Sequence, residues 1–118
     1  MKMPVSEMVD RMSIAILKDE RTSEDMSVEI SEYASWLGED EYPEISQYIA
    51  KMKHINGRIW DLEADIRAGN EDLLGLEEVG RRAIQIRQLN KIRVGYKNEM
   101  VELYQQGFRD IKINHGSE

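Results

Sequence analysis

The chain has 118 residues, 41% hydrophobic and 33% charged, a length that makes one domain with its own core and an apolar share that excludes wholesale disorder. With no cysteine, a disulfide framework, a thiolate nucleophile and a zinc knuckle are excluded. Lys and Arg number 16 against 23 Asp and Glu, a net charge of −7 that no run of basic residues breaks, which is the wrong balance for a phosphate-backbone binder and excludes nucleic acid as a partner.

The start "MKMPVSEMVDRM" lacks the apolar block of a signal peptide, and no stretch approaches the roughly 20 apolar residues that span a bilayer. A soluble, cytoplasmic protein without a membrane partner is expected. From residue 6 to 21 the apolar positions Val5, Met8, Val9, Met12, Ala15 and Ile16 recur at helical spacing, with Ser6 as N-cap and Glu7 in the positive first turn. "RTSED" breaks this helix, and Thr22 or Ser23 caps a second one over 24–37, whose stripe is Met26, Ile30, Tyr33 and Leu37 and whose stop is Gly38. "GEDEYP" reads as a connection feeding a new start.

A third helix over 44–68 carries the strongest pattern, since Ile45, Tyr48, Met52, Ile55, Ile59, Leu62 and Ile66 alternate spacings of three and four. At about 1.5 Å per residue it is roughly 35 Å long. Gly69 and Asn70 mark its stop and the next start. A fourth helix over 71–106 follows the stripe Leu76, Val79, Ala83, Ile86, Leu89, Tyr96, Met100 and Leu103 to a stop at Gly107. Gly75, Gly80 and Gly95 each weaken it by about 1 kcal/mol relative to Ala. The tail 107–118 alternates too briefly to choose between a short strand and a helical extension.

These elements predict a single all-α domain over 1–118, a long antiparallel helical hairpin with two shorter N-terminal helices packed on it. Seams this long exceed what one small chain covers, and seven methionines offer adaptable contact surface, so a homo-oligomer, a dimer first, is expected.

Polar residues interrupt both long seams. Asn56, Trp60, Glu63 and Arg67 share one face of the third helix beside its apolar line. On the fourth, Arg93 occupies the place of the next apolar residue, flanked by Asn90 and Lys97. A hairpin turning near 69–75 brings Trp60 level with Asn90 and Asn56 near Arg93. A half-buried guanidinium needs a partner, and Glu63, a carboxylate from elsewhere or Asp10 of the first helix are the candidates. Two readings follow. One is an interhelical polar network that fixes register. The other is a pocket in which Arg11, Arg93 and Lys97 hold a small phosphate- or carboxylate-bearing ligand, with Trp60 as wall and Asn56 and Asn90 orienting it.

"PVSEMVDRMSIAILKDER", "NGRIWDLEADIRAG" and "AIQIRQLNKIRVGYKNEM" resemble three ordered motifs of an uncharacterised family of small helical bacterial and phage proteins. Those motifs are Pro-Val-Ser with a following Asp-Arg, Asn-x3-Trp-x2-Glu-x-Asp-Ile-Arg, and Asn-x2-Arg-x3-Lys. The resemblance covers 4–21 and 54–100 and implies a helical fold. Its motif positions fall on Asp10, Arg11, Asn56, Trp60, Glu63, Asp65, Arg67, Asn90, Arg93 and Lys97, and it implies no reaction.

The pairs Glu29/Glu32 and Glu99/Glu102 are similar to those with which all-α nucleotide pyrophosphohydrolases hold Mg²⁺, though here the second pair is distant and ends in Glu. A di-iron bundle is excluded because Lys51 and Lys112, not Glu, precede His54 and His115 by three. His54 reads as a surface or packing residue, Trp36 as core or interface. The loop acids Glu39, Asp40 and Glu41 read as solvated, with weak Ca²⁺ binding as the alternative. The resulting expectation is a non-enzymatic interaction or assembly module without a cofactor, followed by the anion binder and then the Mg²⁺-dependent enzyme.

Overall fold

Apolar residues at helical spacing fold into four helices: α1 (Val5–Arg21), α2 (Ser27–Trp36), α3 (Ile45–Arg67) and α4 (Leu76–Tyr104). The computed structural model describes residues 3–67 and 74–104, apart from the side chains of Asp65 and Arg67, and contains no strand among them. The expected stop and start at Gly69 and Asn70, the ends of the fourth helix at 71–73 and 105–106, and the tail 107–118 lie outside the described residues.

Helix α1 begins one residue earlier than its pattern suggested. Pro4 precedes it, with a carbonyl that accepts the Glu7 and Met8 amides at 3.0 Å, and Ser6 is buried inside the first turn without capping it. Proline suits this position because the first amides of a helix have no intrahelical acceptor. At the other end Thr22 closes α1, its hydroxyl donating to the Lys18 carbonyl at 2.6 Å. The start of α2 is held instead by Asp25, which accepts the Ser27 amide at 3.0 Å, and by Asp19, which accepts Met26 N–H at 2.9 Å. Gly38 does not take the left-handed conformation expected of a helix stop; among the described residues only Glu44 and Gly75 have positive φ.

The acidic loop before α3 has a structural task. The Glu39 carboxylate accepts the Glu44 amide at 3.2 Å, the Ser46 amide at 2.9 Å and the Ser46 hydroxyl at 2.5 Å. These bonds, the Ser46 hydroxyl's first, hold its carboxyl below the usual range, as a negative charge at a helix N-terminus should be. At Gly75 (φ 82°) the chain turns between a helical Leu74 and the start of α4, so the fourth helix is broken near its expected beginning. Leu76, just beyond, is 89% exposed instead of seated in the stripe.

Helix α1 packs on α2, α3 and α4, and α3 packs on α4. The core where they meet holds Val5, Met8, Val9 and Met12 of α1, Ile45, Tyr48 and Met52 of α3, Met100 of α4 and Leu37 from the loop after α2. Contacts of α4 with α3 and with Pro43 just before it run in opposite order along the two segments. The Tyr104 hydroxyl donates to the Pro43 carbonyl at 2.7 Å, that of Tyr48 donates to Glu99 at 3.1 Å, and Arg82 donates to the Leu62 carbonyl at 3.4 Å. Gly57 lets α1 come close, since a Cβ there would lie 3.2 Å from the Arg21 guanidinium and 3.5 Å from Leu17. Arg21 in turn pairs with Asp61 at 2.6 Å across the same crossing. None of the described helices is long and apolar enough to cross a membrane.

Two tyrosines gather around Tyr104 of α4. The Tyr104 ring stands edge-on to Tyr42 at 5.4 Å and to Tyr48 at 6.3 Å, and Lys51 lies over the Tyr48 ring at 5.0 Å. Burial, then the nearby Tyr48, Glu44 and Glu39, push the Tyr104 phenol up to about 12. An unfolded tyrosine ionises near about 10, so the contribution of Tyr104 to stability is intact below that pH and is lost as pH rises from there towards about 12. Urea titrations at stepped alkaline pH should show stability falling across this window. Tyr104→Phe should flatten the fall, leaving the part due to Tyr48, whose phenol is also pushed up by burial and Glu99.

Candidate functional site, a polar cluster between three helices

Helix α1 is buried on two adjacent faces because it packs on three neighbours. Beside the apolar line of Val5, Met8, Val9 and Met12 runs a second buried line, Ser6, Asp10, Ser13 and Leu17, which steps by four, three and four residues. Asp10 is 4% exposed, and a carboxylate at that depth is tolerable only if its oxygens are satisfied.

They are. Oδ1 accepts the Asn56 amide nitrogen of α3 at 3.0 Å and Arg93 Nε of α4 at 3.0 Å, while Oδ2 accepts Arg93 Nη2 at 2.5 Å. Lys97 Nζ lies 3.7 Å from Oδ2 and 2.7 Å from Glu7 one turn earlier on α1. Asn56 also donates to the Ser13 hydroxyl at 2.8 Å, which donates to the Asp10 carbonyl at 2.7 Å. Asn90 completes the group by accepting Arg93 Nη1 at 3.4 Å. One carboxylate thus joins three helices through a forked Arg–Asp pair, the strongest geometry available to such a pair. Burial pushes the Asp10 carboxyl up, but the hydrogen bonds of Arg93 and Asn56 and the charges of Arg93 and Lys97 outweigh it and hold the group below its usual value. The bond to Asp10, against the opposing effect of burial, holds Arg93 above its ordinary value.

Of the nine candidate site residues, five meet here: Asp10, Asn56, Asn90, Arg93 and Lys97. Asn56 and Arg93 converge on one oxygen. The partner of Arg93 is Asp10 and not Glu63. Trp60 and Glu63 lie half-buried one and two turns further along α3. The side chain of Arg67 lies outside the described residues.

Arg11 does not join the cluster. One residue is a rotation of about 100° on a helix, which leaves Arg11 exposed beside Ile14, Lys18 and the α2 residues Glu29 and Tyr33. Glu7 and Ser13 belong to the group and were not expected. For Ser13 a signal existed, a small hydroxyl three residues after Asp10 within an apolar helix.

Protein-family models, curated proteins and solved structures give no match to the chain. The chemistry of the cluster has to be judged from its own geometry. Both of its cations already face carboxylates, and it holds no nucleophile with an adjacent base. Among the described residues no three acidic or histidine side chains come together as a metal would require. Of the acidic pairs, Glu99 accepts the Tyr48 hydroxyl on α4, and Glu29 and Glu32 sit exposed on α2. Trp36, expected in core or interface, is 48% exposed at the end of α2.

Proposed function

We propose that the protein is a non-enzymatic interaction and assembly module, of the small helical bacterial and phage kind its motifs resemble, working as a homodimer in the cytoplasm. In this reading α3 and α4 form a long antiparallel hairpin, α1 and α2 pack on it, and the Asp10 cluster pins the register of α1 on the hairpin. The observation that carries the reading is the poor coverage of α4. Of its 29 residues only Leu89 and Met100 are buried, while Leu76, Ile84, Ile92, Val94 and Leu103 stay largely exposed. Aliphatic side chains left in water along a helix are surface that a second copy could cover.

Sedimentation velocity across the micromolar range tests this: a concentration-dependent shift from one copy to two is expected, and a monomer throughout overturns it. The competing reading, a small phosphate- or carboxylate-bearing ligand at Arg93 and Lys97, requires both cations to leave Asp10 and Glu7. Arg93→Ala and Lys97→Ala, followed by melting and by titration with inorganic phosphate and small carboxylates, separate the two. Loss of stability without anion binding by the native protein supports the clamp. Phosphate binding that both substitutions abolish while leaving the melt unchanged supports the ligand.

A further inference from the structure

The acidic surplus of this chain is not spread evenly. Residues 22–50 carry eight acids and no Lys or Arg, whereas residues 79–98 carry six Lys or Arg and no acid. The first stretch contains α2 and the second the middle of α4. The two helices are therefore of opposite sign, and each leaves an amphipathic surface uncovered.

On α2 that surface is one wall of a groove of about 660 Å³, closed on the other side by Met3 and Met8. Met26, Val28 and Trp36 line it with apolar surface and Asp25, Glu29 and Glu32 with acids, and no base lines it among the described residues. Val28 is 80% exposed and no residue of α2 is buried, so among the described residues this side of α2 is left open. On α4, Ile84, Arg87, Lys91 and Ile92 fall on one side of the helix, all four exposed. The other bases of the stretch are engaged within the chain, Arg81 and Arg82 by Glu78, Arg93 by Asp10 and Lys97 by Glu7. Among the described residues Arg87 and Lys91 have no carboxylate within ion-pair distance. Two aliphatic side chains with two uncommitted cations between them match a Met- and Trp-lined groove with two exposed glutamates on its rim.

We propose that the α2 groove of one copy receives the Ile84–Ile92 face of α4 of a second copy, and that the contact is made twice, once in each direction about a two-fold axis. The proposal rests on the assembly reading above and assigns its contact. Apolar burial supplies the attraction, and the opposed charges set orientation and exclude the like-with-like pairings of α2 with α2 or α4 with α4. Met3, Met8 and Met26 suit the groove to an aliphatic helix because their side chains adapt in shape.

Two variants test it, each altering exposed side chains that make none of the helix-start bonds described above: Glu29→Lys with Glu32→Lys, and Arg87→Glu with Lys91→Glu. Each alone places like charges across both copies of the contact, and each should weaken self-association at least about tenfold, a change of about 1.4 kcal/mol, with its helical circular dichroism kept. Mixed one to one, the reversed groove faces the reversed helix and the native groove faces the native helix, so the dimer should return. If the native chain dimerises and both variants still do, or if mixing restores nothing, the contact is overturned while the assembly reading stands. If the native chain is monomeric, the assembly reading itself falls. Salt should weaken the native dimer and, by screening the like charges, bring the self-association of the variants closer to it.

Discussion

Asp10→Ala is expected to cost about 3 kcal/mol, because it removes the carboxylate onto which the Arg93 guanidinium forks between three helices. The cost lies at the lower end for a broken buried pair, since the Arg93 side chain keeps 28% of its exposure and water can reach it. For a domain of this size that is a fall of roughly 10 °C in melting temperature. The companion variant Asp10→Leu with Arg93→Met should recover most of the loss, as apolar replacement of a buried pair often does, and the double-mutant cycle would give the coupling directly. A cost under about 0.5 kcal/mol for Asp10→Ala would show the pair to behave like a surface ion pair. The pH dependence gives a second check. The folded-state carboxyl lies below its unfolded value of about 3.9, so its contribution is present above that pH and lost as pH falls through the folded value. The gap between native protein and Asp10→Ala should therefore close in acid.

Met52→Ala should be of similar size for an unrelated reason. Met52 has no exposed surface and stands on α3 in the core shared with Met8, Val9 and Met12 of α1 and Met100 of α4. Truncation removes apolar contact where three helices converge and leaves a cavity that none can close by moving alone, a loss of about 3 kcal/mol. Urea unfolding should show a lower midpoint with an unchanged slope, the sign of an altered stability and an unaltered denatured state. Val28→Ala, on the exposed side of α2, should stay within about 0.5 kcal/mol of the native protein when both are unfolded at concentrations low enough to be monomeric. Equal losses at the two positions would contradict the burial described for them.

The helices were legible because burial writes its period into the sequence. The seam of α3 was read through Ile66, yet only its first half, Ile45 to Ile55, is buried; Ile59, Leu62 and Ile66 are partly so. The reason is tertiary: α1 ends at Arg21, which meets α3 at Gly57 and Asp61, and beyond that crossing one covering helix fewer remains. Helix ends were less legible, since Ser6, Thr22 and Gly38 all carry suitable chemistry while Pro4, Met26 and Leu37 hold the positions. For the cluster, polar residues breaking an apolar line marked Asn56, Arg93 and Lys97. That Asp10 and not Glu63 receives the arginine depends on how α1 crosses the other two helices, and helical spacing within one element carries no such information. Arg11 carries a suitable charge, but one residue on from Asp10 it lies about 100° further round α1 and faces α2.

Helix α2 has a property its neighbours lack. It buries none of its own residues and packs on α1 through half-buried Ile30 and Tyr33, with Met26 at its start. Releasing it would uncover little of the core, so the free energy of opening this segment is well below that of unfolding the bundle. Its amides should exchange with deuterated solvent ahead of those of α1, α3 and α4, and a partner bound along it would slow that exchange first.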